Sequence, residues 1–251
     1  MMKIKQKKIN KSTVPLAIKV KNVTKTYILR HEKPTLIENL LYKSRNEIYV
    51  ALENVSFSVQ EGDRLGIIGS NGSGKTTLLK LIAGITKQQK GSIKVNGKIV
   101  SLIDLSAGFH PDLTGEENIF LNGLVIGMNK NEIESKKKLI IEFADIGKFI
   151  DAPLYTYSSG MKLRLGFSVA IHSSPDLLLL DEGFAVGDEN FRRKANKKIL
   201  DFQKQTKTLI MVSHWLEELE RNCNKILWLE KGKIVAYGGT EILKQYKKYS
   251  N

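Results

Sequence analysis

Eight consecutive residues, Gly69-Ser70-Asn71-Gly72-Ser73-Gly74-Lys75-Thr76, fit the spacing G-x-x-x-x-G-K-[ST], the pattern of a loop that wraps phosphate. Gly72 and Gly74 free the backbone to turn its N–H groups inward on an anion. The pattern assigns the Lys75 ammonium to the β- and γ-phosphates of a nucleotide and the Thr76 hydroxyl to Mg²⁺, with Thr77 continuing into a helix. The chemistry open to such a set is nucleotide binding and, with acids nearby, phosphoryl transfer.

The acids stand further along. The apolar run Leu177 to Leu180 follows Pro175 and ends in Asp181 and Glu182, as expected for a strand buried on both faces of a parallel sheet. Its carboxylates then emerge where open α/β sheets bind their ligands. With the loop upstream, Asp181 reads as the acid of the Mg²⁺ shell and Glu182 as the base that orients or deprotonates an attacking water. A strand that simply ends in a charged turn is the plainer alternative. His214 follows a second apolar run, Leu209 to Val212, and with Ser213 reads as a γ-phosphate contact or as a helix-start residue. Ser158, Ser159 and Gly160 open a helix whose apolar face carries Leu163, Phe167 and Ala170 or Ile171. Its first N–H groups suit a phosphate oxygen, although Ser and Gly start many helices as ordinary caps.

These residues need elements to hold them. Leu65 to Ile68 reads as the strand before the loop and Thr77 to Ala83 as the helix after it. Further strands are expected at Ile18–Val23, Ala51–Val59, Thr208–Val212, Ile226–Leu229 and Ile234–Ala236, the last two joined by a turn at Lys231 and Gly232. A helical region opens at Thr114, with Glu117 completing a capping box, and is expected to continue to Ile150. Alternating strands and helices argue an α/β fold.

A chain of 251 residues, 41% hydrophobic, suits a single compact unit. No stretch approaches the roughly eighteen uninterrupted apolar residues of a membrane span, and the start MMKIKQKK lacks the apolar core of a signal peptide. Cys223 stands alone and forms no internal disulfide. Forty Lys and Arg against 26 Asp and Glu give a net charge of +14, which favours anionic surfaces. The excess is mostly Lys, spread over the amino-terminal tail, residues 136–138, residues 192–198 and the carboxyl end. That spread lacks the clustered Arg and interleaved aromatics of a nucleic-acid surface, so no nucleic-acid partner is expected. An anionic lipid surface and plain solvated helix faces both fit it.

The order of phosphate loop, SSG helix start, acidic strand and histidine resembles the ATP-binding cassette family from Ala17 to about Gly239. The resemblance implies a P-loop NTPase cassette, α/β, with a RecA-like mixed sheet core, an antiparallel β subdomain and a helical subdomain. It implies one domain over 1–251, with a basic tail at 1–16, an insertion at 29–49 and a helical arm over about 107–172. ATP and Mg²⁺ come with it. So does a homodimer in which Ser158, Ser159 and Gly160 serve the ATP held by the second copy. Tyr27 falls at the adenine-stacking position, where an ordinary strand-end Tyr is the alternative, and Asp188 falls within the nucleotide site.

Three features narrow the resemblance: YSSGM at Tyr157–Met161, GFAVGD at Gly183–Asp188, and AGFHPDLTGEENI at Ala107–Ile119. With the insertion after Tyr27, they are similar to the ATPases of bacterial exporters of lipid-linked polysaccharide, O-antigen and teichoic acid systems included. That likeness implies a peripheral subunit on the cytoplasmic face of the inner membrane, working as a dimer under two copies of a separate permease. O-antigen or capsule-like cargo is favoured and teichoic acid is the near alternative. Because the chain stops at Asn251, recognition of the glycan's far end by this subunit is not expected. Pro34, Leu36, Ile37, Leu40 and Leu41 place a short amphipathic helix in the insertion, docked on its own domain or exposed to a membrane partner or lipid head group. Two departures stand out. No Gln lies between Gly97 and Thr114, where cassettes sense their permease, so either Asp104 or Ser106 stands in or the coupling runs through other contacts, and Met161 replaces the usual Gln. Soluble cassettes of DNA repair or translation carry long coiled coils or two cassettes, and a non-hydrolysing regulator would lose Glu182 or His214. The chain has neither signature of the first group and keeps both residues.

Overall fold

The computed structural model of the protein describes residues 14–30, 46–103, 108–181, 188–205, 207–213 and 215–250. Two long strands, β1 (Leu16–Arg30) and β2 (Asn46–Gln60), pair antiparallel, and β4 (Lys90–Val95) joins the other edge of β1. A second sheet runs in the order β5-β6-β7-β3-β8-β9. Its strands are β3 (Arg64–Ile68), β5 (Ile99–Ser101), β6 (Leu177–Leu180), β7 (Thr208–Val212), β8 (Lys225–Glu230) and β9 (Lys233–Gly238). All pairs are parallel except β8 with β9. This is the mixed sheet with an antiparallel subdomain expected of the cassette.

The sequence explains the placement. Every residue of β6, LLLL, and of β7, TLIMV, is buried, as strands covered on both faces must be. In β9 half-buried residues alternate with exposed ones, as suits an edge. Asp176 ties three strand starts together, since its carboxylate accepts from the Lys98 N–H at 2.9 Å and from Lys207 Nζ at 2.7 Å. Those two bonds, Lys207 foremost, hold its pKa below the usual carboxylate value.

Helices α1 (Lys75–Ile82), α5 (Glu189–Lys204), α6 (Leu216–Asn222) and α7 (Glu241–Ser250) surround the sheets, and α2 (Gly115–Val125), α3 (Lys130–Ala144) and α4 (Ser159–His172) form the helical arm. The capping box is present: Thr114 Oγ1 accepts from the Glu117 N–H at 3.2 Å and the Glu117 carboxylate accepts from the Thr114 N–H at 2.8 Å. The expected single helical stretch to Ile150 divides. Gly127 takes φ +85, and the Asn129 side chain caps α3 by accepting from the Glu132 N–H at 2.9 Å. Asp145, at φ 51, ends α3, and a 3-10 turn covers Gly147–Asp151. Ile119, Ile133, Ile140 and Leu165 are fully buried within the arm. Helix α4 faces both ways: Leu165 and Val169 enter the arm core, while Phe167, Ala170 and Ile171 enter the core against the sheet. Leu163, expected on that apolar face, is instead 36% exposed.

Tyr27 lies inside β1 rather than at its end, because the β1–β2 ladder continues through Tyr27–Tyr49 and Ile28–Ile48 to Arg30–Asn46. Aromatic and β-branched cross-strand pairs extend such a ladder. The margins of the expected 29–49 insertion are therefore strand. Pro34, Leu36, Ile37, Leu40 and Leu41 lie outside the described residues, as do the tail at 1–13, Asp104 and Ser106. Among the described residues, no helix is long and apolar enough to cross a membrane.

Candidate nucleotide-binding site

Strands β3 and β6 both flank β7, with Ile67 level with Val212 and Leu180 level with Met211. The phosphate loop after β3, Ser213 after β7 and Asp181 after β6 therefore open at one sheet edge. Adjacent strands lie about 4.8 Å apart, so the loop and Asp181 are separated by roughly 10 Å at strand level. A cleft of about 1220 Å³ runs from Asp181 and Ser213 between α5 and α6. Glu182 and His214 lie outside the described residues, each directly following one of these strand-end positions. The Ser213 hydroxyl donates to the Glu218 carboxylate at 2.6 Å and accepts from the Trp215 N–H at 3.0 Å.

The loop fits a phosphate. Gly69, Gly72 and Gly74 have φ of +148, +77 and +105, conformations that L side chains avoid. A Cβ on Gly69 would lie 1.9 Å from the Leu229 carbonyl oxygen and one on Gly74 2.5 Å from that of Ala51. Gly74 also starts α1 with no side-chain cap, leaving that helix terminus suited to an anion. Lys75 is buried and its ammonium donates to the carbonyls of Gly69 at 2.9 Å and Ser70 at 3.1 Å, which holds it inside the arch of the loop. The buried Ser73 hydroxyl has no hydrogen-bond partner among the described residues. Asn71 and Gly72 are exposed at the tip, and Thr76 and Thr77 lie in the first turn of α1, Thr76 exposed.

Three contacts from outside fix the loop, none of them anticipated from the motif. Glu230, ending β8, accepts from both the hydroxyl and the N–H of Ser70. The Gly232 N–H donates to the Ser73 carbonyl at 3.0 Å. The Tyr49 hydroxyl donates to the Gly72 carbonyl at 3.0 Å. The signal for Glu230 was the one used for Asp181, a carboxylate at the carboxyl end of an apolar run. Tyr49 had no signal until the strand register was known.

Tyr27 is 37% exposed, with the Lys25 ammonium 4.9 Å from its ring centroid. In the arm, Ser158 caps α4, its hydroxyl accepting from the Met161 N–H at 3.2 Å, and Ser158 and Ser159 are exposed while Gly160 is half-buried. Helix α4 packs on α2, α3 and α5, whereas α1 packs on β2 and β4. The structure thus sets Ser158–Gly160 on the arm and the phosphate loop on the sheet. Asp188 caps α5, accepting from the Phe191 N–H at 2.9 Å, and meets Arg164 of α4 at 3.3 Å. The Phe191 N–H first, then Arg164, keep its carboxyl below the usual range. Phe167 of α4, Phe191 of α5 and Phe143 of α3 pack ring on ring at 5.6–5.9 Å, so the helix that begins with SSG is joined firmly to the helix that begins at Asp188.

A family model described as ABC transporter matches residues 52–185. The chain is 41% identical to the O-antigen export system ATP-binding protein RfbB of Klebsiella pneumoniae, over 92% of this chain and 97% of that protein. It is 43% identical to the teichoic acids export ATP-binding protein TagH of Enterococcus faecalis, over 93% of this chain and 53% of that one. It likewise spans about half of RfbB of Myxococcus xanthus, with 55% of that protein covered at 42% identity. Among solved structures, the ATP-binding cassette MJ0796 in a dimeric post-hydrolysis state bound to ADP and Pi matches with TM-score 0.68 and 22% identity, over 89% of this chain and 98% of that one. At that identity the likeness speaks for the fold. With its phosphate loop, acidic strand end and two-sheet architecture, the chain belongs to the ABC transporter family, as an ATPase cassette.

Proposed function

We propose that the chain is the ATP-hydrolysing subunit of an exporter that carries lipid-linked polysaccharide, of the O-antigen or capsule-like kind, across the cytoplasmic membrane. The observation that carries this reading is the 41% identity to an O-antigen export protein over 97% of its length, in a chain whose phosphate loop and acidic strand end share one sheet edge. In this reading Lys75 and the N–H groups of residues 69–77 bind the phosphates, and Tyr27 stacks on the adenine. Thr76 and Asp181 are the residues that would hold Mg²⁺, which when bound neutralises charge on the phosphates. Glu182 orients or deprotonates the attacking water and His214 contacts the γ-phosphate. Ser158, Ser159 and Gly160 serve the ATP of a second copy, and Asp188, tied to Arg164, belongs to the nucleotide site.

Two cassettes and two copies of a separate permease make up the exporter, with this subunit peripheral on the cytoplasmic face. Purification from native membranes tests it: a multi-helix membrane protein is expected to copurify. Loss of the chain is expected to leave lipid-linked glycan on the cytoplasmic side. Recovery on ribosomes or DNA instead contradicts the transport reading. The identity to TagH of E. faecalis supports teichoic acid as the second cargo reading. The chemistry of the stranded glycan separates the two, since a polyol-phosphate polymer marks teichoic acid.

A further inference from the structure

Tyr49 stands between two parts of the site that sequence motifs treat separately. It is the direct cross-strand partner of Tyr27 in the β1–β2 ladder, so the two side chains leave the same face of the sheet about 5 Å apart at Cβ. Its hydroxyl reaches the phosphate loop at the Gly72 carbonyl, 3.0 Å away. Its ring is 42% exposed and Tyr27 is 37% exposed, so both present aromatic surface to a ligand.

One face of Tyr27 is already taken. The Lys25 ammonium lies 4.9 Å from the ring centroid and is fixed there by the Lys87 carbonyl at 2.9 Å, a cation–π arrangement that leaves the opposite face for stacking. A nucleotide with its phosphates in the loop and its base on the open face of Tyr27 has to run past Tyr49.

We infer that Tyr49 is a second base- and ribose-contacting residue, its ring forming the side wall of the slot floored by Tyr27 while its hydroxyl ties that slot to the phosphate loop. This rests on the nucleotide reading above and adds a residue to it. The slot takes a planar base attached to a polyphosphate, and Tyr49 acts on the base end of that ligand.

The test uses the purified full chain with ATP and with inorganic tripolyphosphate, which has the phosphates and no base, both in the presence of Mg²⁺. Tyr49→Ala and Tyr49→Phe both lose the bond to Gly72 and are expected to shift tripolyphosphate affinity alike, by no more than about threefold, whereas Tyr49→Ala is expected to weaken ATP binding about tenfold, the scale of a lost base–aromatic contact. Tyr49→Phe keeps the ring and is expected to hold ATP affinity within about threefold. If Tyr49→Ala weakens ATP and tripolyphosphate equally, or if Tyr49→Phe loses as much ATP affinity as Tyr49→Ala, the residue only braces the loop and the inference is overturned. Unchanged ATP affinity in Tyr49→Ala overturns it as well. A wild-type chain that binds neither ligand removes the nucleotide reading itself.

Discussion

Glu230 grips Ser70, 160 residues away in sequence, through two hydrogen bonds: the Ser70 hydroxyl donates to one carboxylate oxygen and the Ser70 N–H to the other at 3.4 Å. An acid so close to a phosphate loop has two opposed effects. Its hydrogen bonds shape the entry of the loop, while its charge repels the phosphates the loop is built to hold. Glu230→Ala removes both and is expected to raise the KM for ATP about fivefold with kcat within twofold, since the loop loses a charge-assisted bond on a partly exposed residue. Glu230→Gln keeps a polar partner without the charge and is expected to bind ATP at least as tightly as wild type. Equal KM values for Glu230→Ala and wild type would mean that the loop holds its own shape.

The glycines of the chain separate into those with room and those without. Gly84 has φ +74 and no atom within 4 Å of an added Cβ, whereas Gly69 has φ +148 and a Cβ there would sit 1.9 Å from the Leu229 carbonyl oxygen. Gly84→Ala is expected to cost about 1 kcal/mol, the penalty of a left-handed alanine. Gly69→Ala is expected to cost about 3 kcal/mol or more by adding a backbone clash, and to abolish ATP binding. Urea unfolding of the two variants checks the contrast, and similar costs at both positions contradict it.

His172 closes the helix that begins with SSG, its Nδ1–H donating to the Ser168 carbonyl at 2.7 Å and its ring edge-on to Phe143 at 5.3 Å. Burial lowers its pKa, opposed by the Ser168 bond and reinforced by Lys198 and Lys136. The unfolded chain therefore binds a proton near pH 6.5 that the folded chain takes up only at lower pH. Its contribution to stability is present above about pH 6.5 and is lost as the pH falls through the depressed folded value. Melting between pH 7.5 and 5.5 is expected to show Tm falling with acid, and His172→Gln is expected to flatten that slope. An identical slope in the variant would place the titrating group elsewhere.

Legibility from the sequence followed local chemistry. The bounds of β6 and β7 are those read from Leu177–Leu180 and Thr208–Val212, because a strand covered on both faces is apolar at nearly every position. Thr114 and Glu117 announced their helix through a cap that needs only four residues. The end of that helix is equally local, since Gly127 and Asn129 are ordinary stop and start residues. Strand β4, KGSIKV, carries exposed lysines and only two half-buried apolar side chains, so its strand character comes from pairing with β1 rather than from its own pattern. Tyr49 and Glu230 reach the loop from 23 and 160 residues away, and no spacing rule within the loop contains them. The Arg164–Asp188 contact is of the same kind, made by the packing of α4 against α5.

In the proposed function Glu182, which follows Asp181 in the sequence, is the base on which turnover depends. Steady-state ATP turnover of Glu182→Gln, measured beside its ATP affinity, addresses that directly. Affinity close to wild type is expected, with turnover lower by about 10²-fold or more, the scale of a lost general base; turnover equal to wild type would remove Glu182 from that role.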